Sequence, residues 1–333
     1  MPVIIDDSYN IKEIEVDPSW MSDLGDDYRE YREKWDMANN GHLFDFPLFL
    51  EVESSYACNY RCPKCPRQAI DHTRKTGFLS NELLDKLFDE VKRYNMPSIT
   101  FSHGGEPLMR KDLPDLILKA KEANIIDRMF HTNGMLLTGD ISKKLIENGL
   151  TKINFSLDAA SRETYKKLRI GGNYEKVISN IRVFLEEKKA RGKSYPRVRV
   201  SFVVSDENKH EQKKFYDLWK DNVNVISFQR CYDFKGMNSS DNVGAEKRMP
   251  VRHFCTQLWQ LLTITYEGDI LLCERDYSHN YVLGNMKTHT IHECWNSEIM
   301  NKFRQLHKEN RWDEIPLCKK CVTNVHGKIN YDE

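Results

Sequence analysis

Cys58, Cys62 and Cys65 stand at C-x3-C-x2-C spacing within Ser55-Tyr56-Ala57-Cys58-Asn59-Tyr60-Arg61-Cys62-Pro63-Lys64-Cys65-Pro66, just after an apolar, strand-like segment. Three thiolates so placed can hold an iron–sulfur cubane. A cubane has four irons, so three cysteines leave one iron open to an outside ligand, and chemistry would begin there. The rival reading of three close cysteines is a zinc knuckle. Zinc calls for a fourth ligand nearby, and Pro66 to Ile70 supply none.

Composition narrows the setting for such a site. The 333 residues carry 50 basic and 50 acidic side chains, a balance that argues against nucleic acid or another polyanion as the main partner. No apolar run approaches a membrane span, and Met1 to Asn10 carry Asp6 and Asp7 in place of a basic, then apolar, leader. The expectation is a cytoplasmic protein. There, nine cysteines read as metal or redox ligands in preference to disulfides.

The elements that must position the cysteine loop repeat with a regular step. Residues 1–45, with twelve acidic and four basic side chains, read as a decorated N-terminal arm. Its helix-compatible spacing of Tyr28, Tyr31, Trp35 and Ala38 suits either a lid over the site or a plug at one end of the main domain. No strand run is apparent in it. From Phe46 onward strand and helix alternate. Phe49 to Tyr56 delivers the cysteine loop, and Ser80 caps a helix with Leu83, Leu84, Leu87, Phe88 and Val91 on one face. Later strands are predicted over Pro97–Ser102, Arg128–His131, Lys152–Leu157, Val198–Val204 and Val223–Phe228. Intervening helices are predicted near 112–123, 142–148, 162–168, 174–189 and 211–219. Six such units imply a parallel sheet with its functional groups past the strand ends. The cysteine loop, Gly104-Gly105-Glu106-Pro107, Thr132-Asn133, Ser156 and Cys231 all follow different strands and so converge on one mouth.

That combination resembles the radical S-adenosylmethionine (SAM) superfamily. The resemblance spans roughly Phe46 to Cys231 and implies an incomplete six-stranded TIM-like α/β barrel. It also implies that the amino and carboxylate groups of SAM occupy the open iron of a 4Fe–4S cluster, whose electron splits the sulfonium to give a 5′-deoxyadenosyl radical. Gly104, Gly105 and Glu106 resemble the family's second signature, where paired glycines admit close backbone approach to the cofactor. Ser156 and Arg169 resemble positions that bind the ribose or the methionine carboxylate, for which an arginine fork is suited. Asn133 is a further cofactor-side candidate. One departure stands out: relatives usually place an aromatic residue before the third cysteine, where this chain has Lys64. Adenine packing would then use the lysine stem, Tyr60 or another group.

After Cys231, residues 233–254 read as a connector. Cys255, Cys273 and Cys318-Lys319-Lys320-Cys321 follow, with a β-hairpin predicted across Glu267-Gly268-Asp269 and a single helix over Thr290–His307. This stretch, 255–333, resembles the small α+β SPASM and twitch extensions of the superfamily, which carry auxiliary 4Fe–4S clusters. No cysteine follows Cys321, so the resemblance implies the shorter form, with one cluster held by Cys255, Cys273, Cys318 and Cys321; zinc is the alternative. Full ligation suits electron transfer. Cys294 falls on an apolar helix face and reads as packing.

The resulting expectation is a two-cluster enzyme with domains at 1–45, 46–232 and 255–333, fed by a flavodoxin- or ferredoxin-type reductant. Its reaction would be oxidation of a small sugar-like or aminocyclitol substrate, with the substrate electron leaving through the auxiliary cluster. Two alternatives stay open: epimerisation with Cys231 as hydrogen donor, and modification of a ribosomal precursor peptide. A non-catalytic iron–sulfur electron carrier is the alternative of a different class.

Overall fold

The computed structural model describes residues 11–69, 74–231, 254–319 and 321. Ten strands form one sheet: β1 (Ile11–Glu15), β2 (Phe49–Val52), β3 (Ser98–Thr100), β4 (Asp127–Thr132), β5 (Lys152–Ser156), β6 (Arg197–Val204), β7 (Val225–Arg230), β8 (Leu261–Ile264), β9 (Asp269–Leu271) and β10 (Val282–Asn285). Their order is β1-β7-β6-β5-β4-β3-β2-β8-β9-β10. From β2 to β7 every pairing is parallel, as βα repeats require. These six strands are the partial barrel.

The crossover helices start where capping side chains are available. Ser80, Thr138, Ser161 and Asn173 each accept a hydrogen bond from a backbone N–H in the first turn of the helix that follows. The helix Asn81–Arg93 buries the predicted face of Leu83, Leu84, Leu87, Phe88 and Val91. Alternation along the strands sends Leu50, Ile99, Phe130, Ile153, Val200 and Phe228 toward the core. The opposite face lines the barrel lumen, and it is polar.

The arm departs from expectation. It contains β1, which pairs antiparallel with β7 and closes that edge of the barrel. Its IKEIE sequence hides the strand because Glu13 points inward, to Arg199 at 2.5 Å and Arg197 at 3.4 Å. The helix Gly25–Asn39 then acts as a plug. Trp20, Tyr28, Tyr31 and Trp35 meet edge to face, and Trp35 reaches Phe49 at the start of β2. Lys152, at the start of β5, ties the plug to the wall through Tyr28 Oη (2.9 Å) and Asp127 (2.7 Å).

The C-terminal region continues the same sheet. β8 lies parallel to β2, and β8 and β9 form the expected hairpin. The single helix expected over 290–307 is two, Ile291–Trp295 and Glu298–Lys308, because Ser297 caps a new start by accepting from Met300 N–H. Glu90 of the helix Asn81–Arg93 accepts the Ile291 and His292 N–H groups, which docks this region on the barrel. Cys294 is buried, and a Cβ on Gly284 would lie 2.7 Å from its sulfur, so it is a packing residue. The expected connector, 233–254, lies outside the described residues apart from Phe254.

Candidate active site

Since β2 to β7 are parallel, the loops after them share one rim, and the predicted site residues gather there. The cysteine loop is gripped from two directions. Glu106 N–H donates to Ala57 O (2.8 Å), and Arg61 N–H donates to Ile170 O (2.9 Å). Cys58 Sγ accepts Tyr60 N–H at 3.4 Å, while Arg169 Nη1 lies 3.7 Å from Cys62 Sγ. Burial pushes the Cys58 thiol up to about 11, with Glu106, Cys62 and Cys65 adding to the effect. Cys62 is raised by burial too, against the pull of Arg169. All three cysteines are half-buried and outside any disulfide, and with Cys58 and Cys62 both disfavoured as thiolates, a cationic centre is needed to ionise these two. The donor set fits an iron–sulfur cluster.

Gly104 and Gly105 are dictated by contact with this loop. A Cβ on Gly105 would stand 2.1 Å from Ser55 O and 2.8 Å from Ala57 O; one on Gly104 would stand 2.3 Å from Glu53 Oε1. The Gly105 clash is with backbone and cannot be relieved by a rotamer. Gly105→Ala is therefore expected to push the two loops apart at a cost of about 1–3 kcal/mol. SAM affinity measured by equilibrium dialysis should drop; unchanged affinity would contradict this packing.

Glu106 is held by the loop that follows β4. Its Oε1 accepts from Thr132 Oγ1 (2.7 Å) and Leu108 N–H (3.1 Å), and its Oε2 accepts from Asn133 N–H (2.8 Å). The buried carboxylate thus staples the loop after β3 to the loop after β4. Asn133 extends the link, donating from Nδ2 to Asn59 Oδ1 in the cysteine loop (2.8 Å). Arg169 sits half-buried between Asp158 (2.6 Å) and Cys62, and Ser156 is half-buried at the end of β5. Lys64 pairs with Glu207 at 3.5 Å, and Tyr60 is buried with its hydroxyl 3.1 Å from that of Tyr165. Tyr60 therefore packs beneath the loop.

The second thiol set also assembles, although its members are up to 66 residues apart (321 minus 255). Burial pushes Cys255 up to about 12, and the sulfurs of Cys321 and Cys318 add to it. Cys273 is raised well above the usual thiol range by burial and then by Cys255 and Cys321. Arg275 N–H donates to Cys273 Sγ at 3.3 Å. Cys255, Cys273, Cys318 and Cys321 are half-buried and outside any disulfide, and as thiol donors they suit the chemistry of a metal cluster.

Residues overlooked in the sequence join the two sets. His103, directly before the glycine pair, is fully enclosed. Its Nδ1 lies 3.2 Å from Glu51, which also accepts from Thr263 Oγ1, and its ring stacks on Tyr277 with centroids 4.9 Å apart. Burial alone would lower the His103 pKa; Glu51, with Glu53 and Glu274 behind it, raises it overall. Burial raises the Tyr277 hydroxyl, and Cys65 on the first set contributes. Two residues earlier, Arg275 senses Cys321 and Cys273 on the second set. The segment 274–277 therefore spans from one thiol set to the other.

The family model of the radical SAM superfamily matches residues 52–218, half of the chain. The chain belongs to the radical SAM superfamily. An iron–sulfur cluster-binding domain of the SPASM type matches residues 255–322, the region of the second thiol set. This radical SAM enzyme accordingly uses SAM and 4Fe–4S clusters. Among solved structures it is similar to BtrN in complex with AdoMet and 2-DOIA, at 20% identity and TM-score 0.55 over 83% of this chain and 92% of that one. It is also similar to anSMEcpe with bound AdoMet, at 19% identity and TM-score 0.63 over 82% of this chain and 85% of that one. Streptococcus suis SuiB bound to its precursor peptide SuiA gives 16% identity and TM-score 0.54 over 82% and 69%. At these identities the likeness is one of fold.

Curated relatives include probable GTP 3′,8-cyclases. That of Methanocaldococcus jannaschii is 32% identical over 159 residues, 48% of this chain and 50% of the relative. That of Metallosphaera sedula is 30% identical over 169 residues, 51% and 50%. The radical SAM chain thus spans about half the length of these relatives. No helix among its described residues is long and apolar enough to cross a membrane.

Proposed function

We propose that Cys58, Cys62 and Cys65 hold the SAM-binding 4Fe–4S cluster, that Cys255, Cys273, Cys318 and Cys321 hold one auxiliary cluster, and that the enzyme oxidises an alcohol of a small polyhydroxylated, sugar-like or aminocyclitol substrate. When bound, the clusters and SAM supply the 5′-deoxyadenosyl radical that takes a C–H hydrogen atom and a sink for the remaining electron. The hydroxyl proton leaves to a lumen base, which completes the conversion of alcohol to ketone. The protein supplies position and excludes water.

The observation that carries this reading is the His103–Tyr277 stack and the 274–277 segment, which link the surroundings of Cys65 to those of Cys273 and Cys321. An auxiliary cluster so joined suits an electron leaving the substrate site. The lumen wall supports a small polar substrate. His131, exposed on β4 opposite Asn154 of β5, offers a ring that can hydrogen-bond a substrate hydroxyl; Arg199 disfavours its protonation. Asn154 and Ser201 sit beside it on β5 and β6, 2.7 Å apart. Among the described residues, Arg197 and Arg199 share the single carboxylate of Glu13, and Lys152 pairs with Asp127.

The fold likeness to SuiB and anSMEcpe keeps peptide modification as the second reading, and the strand found in the arm removes one argument against it. Here, however, β1 is consumed in closing the barrel edge. The test is anaerobic incubation of reconstituted, reduced enzyme with SAM and a panel of cyclitols, aminocyclitols, GTP and short peptides. Equimolar ketone and 5′-deoxyadenosine from a cyclitol is expected; coupled product from GTP or a peptide alone would overturn the substrate reading.

Cys231 follows β7, half-buried, with its N–H donating to Val204 O. As a thiol that belongs to neither set, it is the hydrogen donor that an epimerase would use. Under the oxidation reading, Cys231→Ala is expected to leave turnover intact, with no solvent deuterium at the product carbon before or after substitution. Deuterium incorporation that vanishes in the variant would establish epimerisation instead.

A further inference from the structure

One buried histidine serves two cysteines of the second set. On the helix Glu298–Lys308, His307 packs inward with Met300, Phe303 and Leu306. Its Nδ1 accepts the backbone N–H of Cys255 at 3.2 Å, and its Nε2 lies 3.4 Å from Cys318 Sγ. A neutral imidazole has one donor nitrogen and one acceptor. With the Nδ1 lone pair engaged by an amide, the ring proton is on Nε2 and points at the sulfur. The tautomer is fixed by the fold.

The geometry points to His307 as a positioning residue that raises the reduction potential of the auxiliary cluster through an Nε2–H···Sγ hydrogen bond to Cys318. This rests on the proposal that Cys255, Cys273, Cys318 and Cys321 are the cluster ligands. An added electron places negative charge on the cluster and its sulfurs, so a donor aimed at a ligand sulfur stabilises the reduced state more than the oxidised one. The Arg275 N–H on Cys273 acts in the same direction. Both donors make the cluster a readier acceptor, as removal of an electron from substrate requires. Because the same ring also holds Cys255 N–H, it sets the relative placement of two ligands that are 63 residues apart (318 minus 255).

The test uses the full chain with Cys58, Cys62 and Cys65 replaced by alanine, so that only the auxiliary cluster remains. Iron analysis of this background comes first: no bound iron would defeat the ligand assignment itself. With iron present, His307→Phe and His307→Gln are compared by EPR-monitored redox titration. The Phe variant is expected to shift the midpoint to more negative potential, and the Gln variant, which keeps an amide donor, to recover most of it. Midpoints that coincide in all three proteins would overturn the inference. Should the Phe variant fail to load iron, pulsed EPR of the background protein carrying 15N-histidine decides. A weak 15N coupling to the reduced cluster that His307→Gln abolishes is expected, and no histidine coupling would refute the hydrogen bond.

Discussion

Replacing Cys62 with alanine is expected to reduce 5′-deoxyadenosine release to the level of an enzyme-free control. Cys62 is the thiol of its set that faces the Arg169 guanidinium, and its backbone carbonyl accepts Cys65 N–H, so it sits at the centre of the loop. Its loss removes one of three iron ligands and leaves Arg169 beside Asp158 with no thiolate to balance. Two cysteines cannot hold a cubane that must also present an open iron. Iron should fall by about four per chain relative to wild type while the auxiliary iron stays. Chromatographic assay of deoxyadenosine with iron analysis on the same sample checks both halves; full release from the variant would show that Cys62 is no ligand.

Replacing Cys273 with alanine is expected to separate the two stages of the reaction. Deoxyadenosine should still form, because the barrel loops that hold SAM contain none of the second thiol set. Ketone should be lost, because the substrate electron has nowhere to go. Burial and the neighbouring Cys255 and Cys321 raise the Cys273 thiol, so under the proposed assignment its removal takes one of four ligands from the auxiliary cluster. Since metal binding and folding are coupled, thermal stability should fall as well. The measured quantity is the ratio of ketone to deoxyadenosine. A ratio near wild type would show that the second set does not carry the electron.

Much of this architecture was legible because parallel βα units write their own punctuation. The helix predicted near 162–168 is Arg162–Leu168, started by the Ser161 cap and ended at Arg169. The convergence of the cysteine loop, the glycine pair, Asn133, Ser156 and Cys231 followed from strand ends alone. What escaped the reading depends on partners distant in sequence. β1 lacks alternation because Glu13 is satisfied by Arg197 and Arg199 on another strand, and nothing local announces that. The parallel seam between β2 and β8 joins segments about 210 residues apart, so the auxiliary region read as an appendage instead of a continuation of the sheet. That Glu106 also staples the loops after β3 and β4 needed the positions of Thr132 and Asn133. His103 and His307 went unassigned because single histidines carry no spacing pattern, and their importance lies in what Tyr277, Glu51, Cys255 and Cys318 bring to them.

The most direct measurement is EPR of anaerobically reconstituted, dithionite-reduced protein, recorded with and without SAM in the wild type and in the Cys62→Ala variant. A cluster signal whose g-values change on addition of SAM in the wild type, and which is absent from the variant while a SAM-insensitive signal persists, is the expected result. A wild-type spectrum indifferent to SAM would contradict the assignment of Cys58, Cys62 and Cys65 and, with it, the proposed chemistry.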